Sequence, residues 1–141
     1  MNIVRMRAEH VPAVQLQEAQ AFAIPMITAE HAQQLANADG VAWTALDGDD
    51  VIACAGIVQV HEQRGIAWAM FSDRALRQFK LIHRVARAVL QRSQWRRIEM
   101  TVDVRHDAAI QWAERLGFER EGVMRAVTPD GRDCFLYAKV K

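Results

Sequence analysis

The chain has 141 residues, 51% of them hydrophobic and 25% charged, with a formal net charge of +1. That length suits a single domain, 1–141, with a sizeable core, and the balance excludes a disordered chain. Near-neutral charge gives no nucleic-acid signal, and no apolar run approaches the roughly 20 residues of a membrane helix. The opening "MNIVRMRAEH" carries charge where a signal peptide needs an apolar stretch, so the expected location is cytoplasmic. Cys54 and Cys134 fit no metal spacing and read as buried reduced thiols, and five scattered histidines give no metal site.

In chain order, "NIVRMR" alternates like a half-buried strand. A helical region follows, with Pro12 in its first turn, and Pro25 breaks it. A second helix is expected from its N-cap Thr28 to about Asn37. "VAWTAL" and "VIACAGIVQV" read as strands joined by the hairpin turn "DGDD", and "EQRG" turns the chain into the strand "IAWAMF". The longest helix is expected over 76–92, with Phe79, Ile82, Ala86, Val89 and Leu90 on its apolar face. "RIEMTVDV" is a strand with Ile98, Met100, Val102 and Val104 on one side; Glu99, Thr101 and Asp103 share the other. Asp107 caps a helix to Leu116, and "EGVMRAVT", the turn "PDGR" and "DCFLYAKV" close the chain. The order β-α-α-β-β-β-α-β-α-β-β describes an α+β fold with a mixed sheet and helices on both faces. Its "IAWAMF" and "RIEMTVDV" strands are adjacent and parallel, joined by a right-handed crossover.

The stretch "RIEMTVDVRHDAAIQWAERLGFEREG" splices strand, helix and strand with almost no loop. Ala109, Trp112, Ala113 and Leu116 recur at helical spacing and define one buried stripe. Gly117 falls where the chain must turn left-handed, and Phe118 packs back on the last turn. The helix N-terminus then lies at the end of a parallel strand, which is a ligand edge in such sheets. A plain helix stop is the blander account of the same residues.

"IEMTV", Ala109 and Leu116-Gly117-Phe118, with the element order of the whole chain, resemble the GNAT family, the GCN5-related N-acetyltransferases. The resemblance implies a mixed sheet splayed between its two central parallel strands, with acetyl-CoA as donor substrate in that opening and an amine approaching from the other side. Where the family has Asn, this chain has His106; where it has the Tyr that often protonates the leaving thiolate, this chain has Ala113 beside Trp112. The family's glycine-rich phosphate loop corresponds here to "SDRALRQF", in which Arg77 and Phe79 replace the glycines and Arg74 stands at the first position. Neither replacement brings its backbone as close to a diphosphate as glycine does.

By this resemblance the donor-binding residues are Met70, Phe71, Arg74, Arg77, Gln78, Phe79 and His106. Arg77, Lys80, Arg84 and Arg87 recur on one helix side, which is either a phosphate-attracting edge or a solvated face. Acid–base candidates are Glu99, if its face looks into the opening, and His106, whose ordinary pKa range suits the task. Structural roles compete for both: hydrogen bonding near the sheet for Glu99, helix capping for His106. Tyr137 reads as core or rim. Two functions stay open. One is acetyl transfer from acetyl-CoA to a small-molecule or protein amine, with a homodimer as an admissible assembly. The other is a catalytically degenerate GNAT-like protein with a structural role, such as the virion-associated one of small GNAT-like proteins in tailed phages, which "RQFKLIHRVARAVLQ" loosely resembles.

Overall fold

A computed structural model describes residues 1–141. The elements are β1 (Asn2–Arg5), α1 (His10–Ala13), a 3₁₀ segment (Glu18–Met26), α2 (Ala29–Asn37), β2 (Gly40–Asp47), β3 (Asp50–His61) and β4 (Arg64–Phe71). They continue with α3 (Asp73–Arg77), α4 (Phe79–Arg92), β5 (Arg97–Asp103), α5 (Asp107–Arg115), β6 (Glu119–Met124) and β7 (Cys134–Val140). The seven strands hydrogen-bond in the order β1-β2-β3-β4-β5-β7-β6. β4 and β5 are neighbours and parallel, as the strand–helix–strand pattern requires, while β1–β2, β2–β3, β5–β7 and β6–β7 are antiparallel. No helix is long and apolar enough to cross a membrane.

By internal packing the chain forms two units, the first of residues 1–59 and 68–93, the second of residues 60–67 and 94–141. In the first, Met6, Val11, Val14, Ala32 and Cys54 form a buried cluster, with Leu35, Ala42, Trp68 and Met70 packed against it. Beside it lies a polar relay. The Nδ1 of His10 accepts the Arg7 N–H at 3.0 Å and faces the Thr44 hydroxyl at 2.9 Å, which lies 3.5 Å from the Cys54 thiol. An Nδ1 that accepts from Arg7 is unprotonated, so Thr44 donates to it and Cys54 can donate to Thr44. Burial raises the Cys54 thiol to about 11, against the pull of the Thr44 hydrogen bond. Burial also holds His10 below its usual value, with Glu9 opposing it and Arg7 reinforcing it.

A depressed histidine means that the unfolded chain binds the proton more readily than the folded one. Stability contributed by neutral His10 is therefore complete above about pH 6.5 and is lost as the pH falls from there toward the lower folded value. The urea midpoint is expected to drop between about pH 7 and pH 5, and to drop less in His10→Gln. Equal pH slopes for the two proteins would show that the relay does not require a neutral ring.

Four expectations about the helices need correction. The first helical region is not one helix: α1 is a single turn, and Pro25 lies inside the 3₁₀ segment instead of ending it. Thr28 does cap α2, accepting the His31 N–H at 3.0 Å. The long helix starts at Phe79, because Gln78 leaves helical geometry (φ −111°, ψ 27°) and separates α3 from α4. No Gly or Pro marks that break in the sequence. His106, not Asp107, is the N-cap of α5, and no side chain caps it. The predicted α5 stripe is only partly buried: Ala113 and Leu116 are buried, Ala109 and Trp112 half-buried.

The end of α5 is as expected. Gly117 has φ +95°. Its N–H bonds the Glu114 carbonyl at 3.1 Å and the Phe118 N–H bonds Ala113 at 3.0 Å, the double pattern of a left-handed helix stop. The Lys139 ammonium adds a bond to the Leu116 carbonyl at 2.9 Å. In β5, Ile98 and Val102 are buried, but so are Glu99 and Asp103 on the other face, leaving Thr101 exposed.

Candidate functional site

In the first unit, the end of β4 is fixed by Ser72. Its N–H and hydroxyl both donate to the Ile52 carbonyl of β3, at 3.0 and 2.8 Å, and its Oγ accepts the Ala75 N–H at 3.3 Å to cap α3. Because Ser72 bonds toward β3, alternation turns the N–H and C=O of Phe71 and Ala69 to the opposite edge of β4. The ladder with β5 pairs Arg64–Ile66 with Arg97–Glu99 and stops there, although β4 runs on to Phe71. Beyond Ile66, that edge is therefore not paired with β5.

Local groups occupy it instead. The Gln20 carboxamide donates to the Ala69 carbonyl at 2.8 Å and accepts the Phe71 N–H at 2.9 Å. The Gln17 N–H donates to the Phe71 carbonyl at 2.8 Å, and the Gln17 side chain steadies the Gln20 oxygen at 3.2 Å. Sequence reasoning missed both glutamines. "QLQEAQAF" shows only polar residues beside apolar ones, and nothing in it announces a distant strand edge as partner.

The expected donor-binding residues of this unit separate into distinct roles. Met70 packs on the core cluster and Phe71 is 5% exposed, so Phe71 offers backbone groups rather than its ring. Arg74 is committed elsewhere. Its guanidinium donates to Asp50 at 2.6 Å and Asp47 at 2.5 Å, tying α3 to the β2–β3 turn, and these bonds raise its pKa. Arg77, Lys80, Arg84 and Arg87 are all exposed and form no ion pair. Gln78 is the break between α3 and α4, and Phe79 opens α4 in ring contact with His83 at 6.2 Å.

In the second unit, Glu99 is a buried carboxylate held by two arginines. Arg64 binds Oε1 through Nε at 2.7 Å and also through Nη2, while Arg97 reaches Oε2 at 2.9 Å. Arg97 continues to Glu121 at 2.6 and 3.0 Å, and Glu121 is the extra residue of a bulge in β6. Burial alone would raise the Glu99 pKa, but the hydrogen bonds and charges of Arg64 and Arg97 outweigh it and hold the carboxyl below its ordinary value. A carboxylate so engaged is an ion-pair anchor and a poor proton acceptor near pH 7.

His106 stands differently. It is half-buried at the start of α5, its N–H bonded to the Asp103 carbonyl at 3.0 Å and its own carbonyl to the Ile110 N–H at 3.0 Å. Burial lowers its pKa, against the opposing charges of Asp103 and Asp107, so its ring is neutral at pH 7 and able to accept a proton. Asp103 is itself engaged, accepting the Arg105 N–H at 2.8 Å and facing Arg132 at 2.5 Å.

The sequence profile of the acetyltransferase (GNAT) family matches residues 8–118. Among solved structures, the Escherichia coli ribosomal-protein alanine N-acetyltransferase is similar at 19% identity and a TM-score of 0.75, over 99% of this chain and 92% of that one. An aminoglycoside 6'-acetyltransferase of type Ii is similar at 18% identity and a TM-score of 0.72, over 99% and 97% of the two chains. A spermidine N-acetyltransferase chimera of the Vibrio cholerae protein and hSSAT gives 11% identity and a TM-score of 0.71, over 99% and 96%. No curated protein matches the sequence.

Proposed function

The chain belongs to the GNAT acetyltransferase family, and from that premise we propose that it transfers an acetyl group from acetyl-CoA to an amine. The observation that carries the reading is the edge of β4. Past Ile66 it presents alternating carbonyl and N–H groups outside the β5 ladder, the pattern that an extended chain bearing secondary amides can pair with, and the pantetheine arm of CoA is such a chain. The structural neighbours named above include enzymes for spermidine, an aminoglycoside and a protein alanine, which supports an amine as the acceptor class.

In the reaction the amine nitrogen attacks the thioester carbonyl, a C–N bond forms, the C–S bond breaks, and the amine's proton must leave. Glu99 is not suited to take it, for the reasons of charge pairing given above. His106, neutral and half-buried, carries that role in this proposal. Among the phosphate candidates, Arg74 already serves Asp47 and Asp50, so the CoA phosphates fall to exposed Arg77 at the end of α3, with exposed Lys80 past the Gln78 break in the first turn of α4.

A glycine-free loop that grips phosphate with exposed side chains is sensitive to salt, because exposed charges are screened. Calorimetric titration with CoA and acetyl-CoA should therefore show affinity falling as salt rises. Arg77→Ala should weaken binding by about 1–3 kcal/mol, the range for charge-assisted hydrogen bonds, while Arg87→Ala, further along α4, should change little. Thiol release in the presence of polyamine, aminoglycoside and peptide amines would then identify the acceptor class. Millimolar CoA that yields neither heat nor a thermal shift defeats the proposal.

A further inference from the structure

The Gln20 carboxamide sits where a ligand amide would. One donor and one acceptor on a single planar group meet Ala69 O at 2.8 Å and Phe71 N at 2.9 Å, which is how one residue of a parallel strand bonds its neighbour. The Gln17 N–H takes the next acceptor, Phe71 O, at 2.8 Å. Three consecutive polar groups of β4 are thus satisfied by the segment that leads into and through Glu18–Met26.

The Glu18–Met26 part of that segment buries no side chain fully. It is a nine-residue 3₁₀ run, although such helices are seldom longer than three or four residues, and none of its residues is buried. Ile24 and Met26 are 58% and 44% exposed. A strap whose residues are at most half-buried and whose bonds to the strand edge are neutral is drawn from the easily opened end of a protein's structure.

We propose that Gln20 is a resident, displaceable amide: it satisfies the β4 edge in the ligand-free protein, and an amide-bearing donor arm binds by replacing it while the strap moves off. The inference rests on the acetyl-CoA reading for the identity of that arm. It makes Gln20 a determinant of donor affinity that lies outside the phosphate-binding residues. Exchange of one set of neutral hydrogen bonds for another leaves little net gain, so the resident amide lowers apparent donor affinity by the fraction of molecules in which the edge is open.

The test uses the full chain, with Gln20→Met, which keeps length without hydrogen-bonding groups, and Gln20→Ala, each checked for native circular dichroism. Without ligand, the Phe71 amide proton should exchange about tenfold faster in both variants than in the parent. CoA and free pantetheine should bind both variants about tenfold more tightly than the parent, by calorimetry. Unchanged Phe71 exchange shows that the amide does not hold the edge, and overturns the proposal whatever CoA does. CoA binding that is unchanged or weaker in the variants overturns displacement while leaving acetyl transfer intact. Accelerated exchange with no CoA binding by any of the three proteins overturns displacement and the acetyl-transfer reading together.

Discussion

Tyr137→Ala is expected to destabilise the protein by about 3–5 kcal/mol, and Tyr137→Phe by only about 1 kcal/mol. The ring is fully buried in β7, with Phe135 edge-on at 6.4 Å, so truncation removes a large apolar contact and leaves a cavity. The hydroxyl donates to Glu114 at 2.7 Å and accepts from Arg120 at 3.0 and 3.2 Å, which links β7 to α5 and β6. Glu114 and Arg120 have side chains 57% and 45% exposed, however, so water can replace the lost hydroxyl and neither partner is stranded. Arg120 also keeps its place over the Phe135 ring at 3.7 Å. Urea midpoints decide between the two contributions. A Phe variant as unstable as the Ala variant would show that the hydroxyl, not the ring, holds β7.

Much of the fold was legible because it depends on local chemistry. The strands β1 to β5, the Thr28 cap and the Gly117 stop are written in short windows, and each is found where its residues stand. At α5 a competing side chain overrides the local signal. Asp107 has the right chemistry for a cap, but Asp103 bonds the Arg105 N–H in the turn before the helix, and the chain enters α5 one residue earlier than the cap rule suggests. The break at Gln78 carries no local mark at all, and we have no physical account of it.

The site was less legible than the fold, for the same reason on a longer range. Arg74 and Arg77 look equivalent in sequence. Only the hairpin turn, which brings Asp47 and Asp50 to Arg74, separates a structural arginine from an exposed one outside any ion pair. Glu99 looked like a base on a strand face, and Arg64, 35 residues away, makes it an anchor. Gln20 lies 51 residues from Phe71, and no spacing rule connects a glutamine after a short helix to a strand edge. Charge and polarity gave the candidates; pairing determined which of them remain free to act.

Gly56→Ala is expected to be a severely damaging single-methyl change, at about 3 kcal/mol or more, the upper part of the overpacking range. Gly56 lies in mid-β3 opposite Ala42 of β2, with no positive φ to excuse it, so conformational freedom is not why glycine is there. Space is the reason. A Cβ at this position would stand 2.3 Å from the Val41 carbonyl oxygen and 2.9 Å from the Ala42 Cα. Both obstacles are backbone atoms of a paired strand, and they cannot swing aside as a side chain would. Relief requires β2 to move relative to β3, which disturbs the ladder next to the Thr44–Cys54 contact and the core that includes Cys54. Gly122→Ala is the matched comparison. Its Cβ would meet nothing within 4 Å, and its backbone is not left-handed. Reduced freedom of the unfolded chain should make that variant neutral or about 0.4–1 kcal/mol more stable. Denaturation midpoints that moved together for the two variants would show that glycine at position 56 reflects strand entropy alone, and that β2 does not approach β3 as closely as its carbonyl implies.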